Sequence, residues 1–147
     1  MLKKHVDHVD HKMIESGYFN HLDFQLVEWK PGFAVLEIEI GPQHLNRSKI
    51  LHGGVLTAMI DTVCGFSGCH CSTPGHIRNA VTLSLTTSFT GQASSGIIRA
   101  EGRKRTRGRK IYVASAEVFN CADEIIAIGE ATYRYRSGSE DSSGQPA

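Results

Sequence analysis

The feature that most constrains this chain is one long helical pattern followed by nothing but strand-like segments. Over residues 53–69, Val55, Leu56, Met59, Ile60, Val63 and Phe66 recur at three- and four-residue intervals, which gives a helix with a wide apolar face. Ser72-Thr73-Pro74-Gly75 then breaks the pattern. Four segments rich in Val, Ile, Thr, Tyr and Phe follow at 79–90, 97–106, 110–120 and 124–136, separated by Gly-, Ser- or Arg-rich turns. Upstream, 23–28 and 33–40 are strand-like and meet at Lys30-Pro31-Gly32, a turn signal, so they read as a hairpin. Strands grouped apart from a single long helix predict an α+β domain whose antiparallel sheet packs one face on that helix.

The flanks carry less. Residues 4–18 read as a short polar helix with Val6, Val9 and Met13 at helical spacing, stopped by Gly17. Residues 137–147 hold no large apolar side chain and are expected to be a disordered tail, leaving 1–136 as one domain. The 147 residues suit one domain, and 40% hydrophobic with 21% charged residues is neither a disordered nor a fibrous composition. No apolar run approaches the roughly 20 residues that span a bilayer. The first residues carry acids and histidines where a signal peptide is apolar, so the cytoplasm is the expected location and no membrane partner is expected. Cys64, Cys69, Cys71 and Cys121 have neither zinc-ribbon nor CxxC spacing and are expected to be reduced. His5, His8 and His11 recur every third residue, which rotates them around a helix, so no metal site is expected there.

Charge is unevenly spread. Residues 99–110 contain Arg99, Arg103, Lys104, Arg105, Arg107, Arg109 and Lys110 against Glu101, a local charge of +6 in a chain of net +1, so the remainder carries −5. Such a stripe suits a phosphate-bearing ligand better than a long polyanion, and no nucleic acid partner is expected. The alternative is a solvated basic hairpin.

Two oddities mark the long helix. It opens on Gly53-Gly54, where helix propensity disfavours glycine. Glycines there let a ligand reach the unpaired first-turn N–H groups, an oxyanion site reinforced by the helix dipole; the alternative is a flexible turn that starts a helix. Asp61 then lies mid-helix in an apolar sequence, and its own stripe is Thr57, Ala58, Asp61, Gly65 and Gly68. A carboxylate in a row of small residues is a candidate base or nucleophile beside a groove. There is no Gly-x-Ser-x-Gly elbow, P-loop or dinucleotide glycine fingerprint.

Asn46, His52-Gly53-Gly54 and Asp61, at these spacings, resemble the active-site signature of the hotdog-fold acyl-CoA thioesterases of the phenylacetate-degradation type. Residues 80–89, Gly108-Arg109 and 127–132 resemble later strands and a hairpin turn of that family, and the likeness covers roughly 20–136. It departs at Lys49, where many members have glycine. The resemblance implies a hotdog fold, an antiparallel sheet wrapped around one central helix, and hydrolysis of an acyl-CoA to free acid and coenzyme A with no metal or redox cofactor. By position, Asp61 would be the base or nucleophile, and Gly53 would offer its N–H to the carbonyl oxygen. Gly54 would allow the tight helix start, Asn46 would hold water or substrate, His52 would brace the loop, and Thr82 would be a polar contact beside the reacting group. Arg105, Arg107, Arg109 and Arg134 are the expected contacts to the coenzyme's phosphates, since arginine binds phosphate in bidentate fashion. The alternatives are a hydratase or dehydratase on the same fold and a non-catalytic acyl-CoA sensor.

Eight residues of helix separate Gly53 from Asp61, roughly 12 Å at about 1.5 Å per residue. One carbonyl does not easily touch both, which predicts a homodimer with antiparallel helices and composite sites, Asp61 of one chain facing Gly53 of the other. The resemblance implies the same arrangement, often paired further into a homotetramer.

Overall fold

The computed structural model describes Val6 and residues 14–147. Its elements are α1 (Gly17–His21), β1 (Gln25–Lys30), β2 (Phe33–Glu39), a 3-10 turn (Pro42–His44), α2 (Gly53–Gly68), β3 (His76–Ile77), β4 (Ala80–Phe89), β5 (Ile97–Lys104), β6 (Ile111–Phe119), β7 (Ile125–Tyr135) and β8 (Gln145–Pro146). The long helix and the six longer strands match the sequence pattern to within two residues at each end. Between β1 and β2, Gly32 takes φ +77°, the left-handed conformation that the Pro-Gly turn needs.

The six strands form one antiparallel sheet in the order β1-β2-β5-β6-β7-β4. The chain therefore leaves α2, runs up the far edge as β4, and fills the middle last. Helix α2 lies across one face and buries Val55, Leu56, Met59, Ile60, Val63 and Cys64 against Leu26, Leu36, Ile38, Ile98 and Ala100. The result is an antiparallel sheet packed on one long helix, as the α+β, hotdog expectation has it. Backbone meets backbone at Gly102 of β5, where a Cβ would stand 2.6 Å from the Val63 carbonyl oxygen; only a residue without one lets strand and helix come this near.

Three tyrosines tie the far end of α2 to the sheet. The rings of Tyr112 and Tyr133 stack at 4.9 Å, and Tyr135 lies 4.9 Å from Tyr112 on the other side. Their hydroxyls donate to the carbonyl oxygens of Gly65 (from Tyr112, 3.0 Å), Asp61 (from Tyr133, 2.6 Å) and Gly68 (from Tyr135, 2.6 Å). Trp29 donates its indole N–H to Phe66 O at 2.7 Å. Gly65, Phe66 and Gly68 lie in the last turn, where carbonyls lack the usual i+4 partner, and the side chains of Tyr112, Trp29 and Tyr135 serve them, while Tyr133 adds a bond to the mid-helix Asp61 carbonyl.

Two expectations at the flanks are corrected. The helix expected over 4–18 falls mainly outside the described residues, as does the His5, His8 and His11 row; within them, Gly17 begins a helix instead of ending one. Ser16 is its N-cap, with its hydroxyl accepting from Phe19 N–H at 3.2 Å. The segment expected as a disordered tail is held in place. Ser139 is fully buried and accepts from Asn79 N–H at 2.9 Å, Arg78 donates to the carbonyls of Ser139 and Glu140, and β8 pairs with β3. Hydrogen bonds to backbone, not apolar burial, anchor it, which is why a search for large apolar side chains misses it. Among the described residues no helix is long and apolar enough to cross a membrane.

Candidate active site

The loop before α2 is built from the inside. Buried His44 accepts from Gly41 N–H through Nδ1 at 2.9 Å, and its Nε2 lies 2.7 Å from Leu22 O, the donor position of a neutral imidazole. Asn46 folds the next turn: its Oδ1 accepts from the N–H groups of Ser48 (2.8 Å) and Ile50 (3.2 Å). Lys49 sits in this turn at φ +61°, the conformation glycine would adopt freely. With its oxygen turned into the loop, Asn46 keeps its amide NH2 without a partner among the described residues.

His52 is the N-cap of α2. Its Nδ1 accepts from Gly54 N–H at 2.8 Å, so an imidazole does the work that Ser or Asp usually does. That contact uses the Gly54 N–H, and Val55 N–H bonds back to His52 O at 2.9 Å. The Gly53 N–H has no acceptor among the described residues and sits at the positive end of the helix dipole. The ring of Phe89, at the end of β4, covers Gly53 so closely that a Cβ there would meet it at 3.2 Å.

Asp61 stands two turns on, half-buried. Its Oδ1 accepts from Thr82 Oγ1 at 2.8 Å and from the Tyr133 hydroxyl at 2.8 Å. Thr82 reaches it because β4 bulges. Thr82 pairs with Tyr133 and Ser84 with Thr132, leaving Leu83 as the extra residue, 51% exposed. The bulge lets both Thr82 and Leu85, three residues apart, turn toward the helix, which strict alternation forbids.

Asp61, Thr82 and Tyr133 line a cleft of about 710 Å³, with Trp29 and Phe66 on one wall and His70 and Arg78 toward its rim. Trp29 meets Phe66 edge-on at 5.3 Å and His70 at 5.4 Å. Burial, then the Arg78 charge, lowers the pKa of His70. Burial, then the Asp61 charge, pushes the Tyr133 phenol far above its usual range, so it stays a donor.

The predicted site residues thus fall into two groups in one chain. Asp61 and Thr82 share the cleft; Asn46, His52, Gly53 and Gly54 gather at the start of α2 and do not line it. The structure does not bring the four predicted arginines to Asp61. Arg134 alternates on β7 with Tyr133 and Tyr135, which face α2, and so lies on the outer face. Arg105 donates to Ser115 Oγ at 2.7 Å in a separate groove of about 480 Å³. Arg107 and Arg109 are exposed in the β5–β6 turn. The cation at the cleft itself is Arg78, which the search for a basic stripe overlooks because it stands alone in sequence; Tyr133 and Trp29 are overlooked as ordinary core aromatics.

The profile of the family described as Thioesterase superfamily matches residues 48–127, more than half of the chain. The chain is 26% identical over 123 residues to an Archaeoglobus fulgidus protein named "Putative esterase", covering 84% of this chain and 77% of that one. Among solved structures, thioesterase HI1161 of Haemophilus influenzae superposes with TM-score 0.76 at 18% identity, covering 85% of this chain and 86% of the other. The E. coli PaaI protein from the phenylacetic acid degradation operon superposes with TM-score 0.74 at 23% identity, covering 85% and 88%. With a profile match that starts at the loop before α2 and runs through most of the sheet, the chain belongs to the thioesterase superfamily.

Proposed function

We propose that the protein hydrolyses an acyl-CoA thioester to a free acid and coenzyme A, as a thioesterase of the phenylacetate-degradation type. The observation that carries this reading is the Asp61 carboxylate, held on one oxygen by Thr82 and Tyr133 at the wall of a cleft. Asp61 acts on the thioester carbonyl carbon, directly as nucleophile or as base toward a water. The carbonyl oxygen, negative in the tetrahedral intermediate, takes the Gly53 N–H at the helix N-terminus. The C–S bond then breaks: on the base route this releases the free acid at once, and on the nucleophile route it leaves a mixed anhydride on Asp61 that water then hydrolyses, and in both the proton taken from water ends on the coenzyme A sulfur. This scheme balances without a metal or a redox group. His52 caps the helix and so aims Gly53, Gly54 permits the close turn, and the free amide of Asn46 holds water or substrate.

Gly53 and Asp61 lie about 12 Å apart along an unbroken helix, so the complete site forms between two chains with antiparallel helices. Trp29 and Phe66 give the cleft an aromatic wall suited to an apolar acyl group. For the phosphates of coenzyme A, Arg78 at the rim and the exposed Arg107 and Arg109 are the proposed contacts. Arg105 and Arg134 would serve only a ligand that reaches the outer face.

Thiol release from a panel of aromatic and aliphatic acyl-CoAs tests the reading. Asp61→Asn should lower kcat about 100- to 10,000-fold with little change in affinity, the usual loss for a positioned base. Retention of more than roughly a tenth of the wild-type kcat, or binding without turnover in the wild type, would refute it.

A further inference from the structure

The hydroxyl of Tyr133 lies 2.8 Å from Asp61 Oδ1 and 2.6 Å from the Asp61 backbone oxygen, while Thr82 Oγ1 meets the same Oδ1 at 2.8 Å. Both side-chain donors fall on one oxygen of the carboxylate. Asp61 Oδ2 accepts no hydrogen bond among the described residues, and Asp61 lines the cleft. The tyrosine is itself immobilised: it is 3% exposed and stacked on Tyr112 with an interplanar angle of 13°. We propose that Tyr133 is a positioning residue that pins Oδ1 of Asp61 and presents Oδ2 to the reacting carbonyl. The inference rests on the reading of Asp61 as base or nucleophile.

An aspartate on a half-exposed helix face samples several rotamers, and each must have its oxygen near the substrate to react. Two donors on Oδ1 from two different strands leave one rotamer that satisfies both. The phenol has one proton to share between the backbone carbonyl and Oδ1, and the anionic oxygen is the stronger acceptor.

Tyr133→Phe keeps the stacked ring and removes only that hydroxyl. We expect kcat to fall about 10- to 100-fold, the worth of a hydrogen bond to a charged group, with KM within about twofold. In an Asp61→Asn background the same substitution should cost nothing further. Tyr112→Phe is the structural control: it removes an equivalent tie to the helix, at Gly65 O, and should leave kcat within about twofold of wild type. Site-specific 4-fluorophenylalanine at position 133 fills the space of the hydroxyl but donates no proton; it should show the same loss, and it tests the proposal even if Tyr133→Phe does not fold. A kcat within about twofold of wild type in whichever of the two proteins is folded overturns the proposal. If Asp61→Asn is dead and kcat of the position-133 variant is unchanged, only the role of Tyr133 fails; if Asp61→Asn is active, the reading of Asp61 fails first.

Discussion

Cys64 occupies the turn of α2 after Asp61, on the buried side, and its environment sets its chemistry. Burial, then the nearby Asp61 charge, pushes its thiol up to about 12. At pH 8 its thiolate is on the order of one part in 10,000. A brief exposure of the folded protein to a thiol reagent should therefore modify exposed Cys121 and spare Cys64 until the protein unfolds. Mass spectrometry of the labelled peptides checks this, and equal labelling of the two would contradict it. Asp61 and Tyr133 show what a sequence reveals at this scale. Asp61 is legible because a lone carboxylate in a row of Thr, Ala and Gly breaks a pattern. Tyr133 is not, because the atom it holds lies 72 residues away and strand alternation says which face a side chain takes, not which helical turn it meets. His52 is intermediate: its place before two glycines marks a helix start, but the Nδ1 contact that makes it the cap needs coordinates.

Helix α2 and the sheet meet with backbone against backbone at Gly102, so the fit between these elements depends on a missing side chain. Gly102→Ala would put a Cβ 2.6 Å from Val63 O, and neither backbone can yield cheaply. The expected cost is about 1–3 kcal/mol, typical of overpacking, read as a lower denaturant midpoint with an unchanged slope. A variant as stable as the wild type would mean that the helix and sheet are less tightly seated than this. The elements themselves are legible: period 3.6 in 53–68 and β-branched and aromatic runs elsewhere are direct consequences of one buried face. Their order in the sheet is not, because β4 pairs with β7 and not with its sequence neighbour β5. Nor is the bulge at Leu83, which turns Thr82 to Asp61 and leaves no mark in composition. The segment 137–147 escapes for a related reason, since the Arg78 guanidinium on two of its carbonyls and the Ser139 hydroxyl on Asn79 N–H hold it, polar ties that carry no hydrophobic signal.

At the scale of the molecule, one chain carries both halves of the proposed site and joins neither to the other. The β4 edge strand, with Leu83 and Phe89 more than half exposed, is the face proposed to meet a second chain. Mixing Asp61→Asn with Gly53→Pro, which removes the N–H donor, tests this after subunit exchange. Half the dimers would be mixed, each with one intact and one doubly damaged site, so activity should return to at most about a quarter of wild type. No recovery from folded, exchanging variants, or a fully active monomer, would exclude composite sites. The proposal of two chains can be read in the sequence from the eight residues of helix between Gly53 and Asp61, whereas the aromatic wall of the cleft cannot. That wall has an optical consequence. Trp29 is the only tryptophan in the chain, so all indole emission originates beside the cleft. Its neighbour at 5.4 Å is His70, and a protonated imidazole quenches indole. The protein thus carries its own unlabelled fluorophore at the cleft wall, dimmed by acid through His70 and free of background from any second tryptophan.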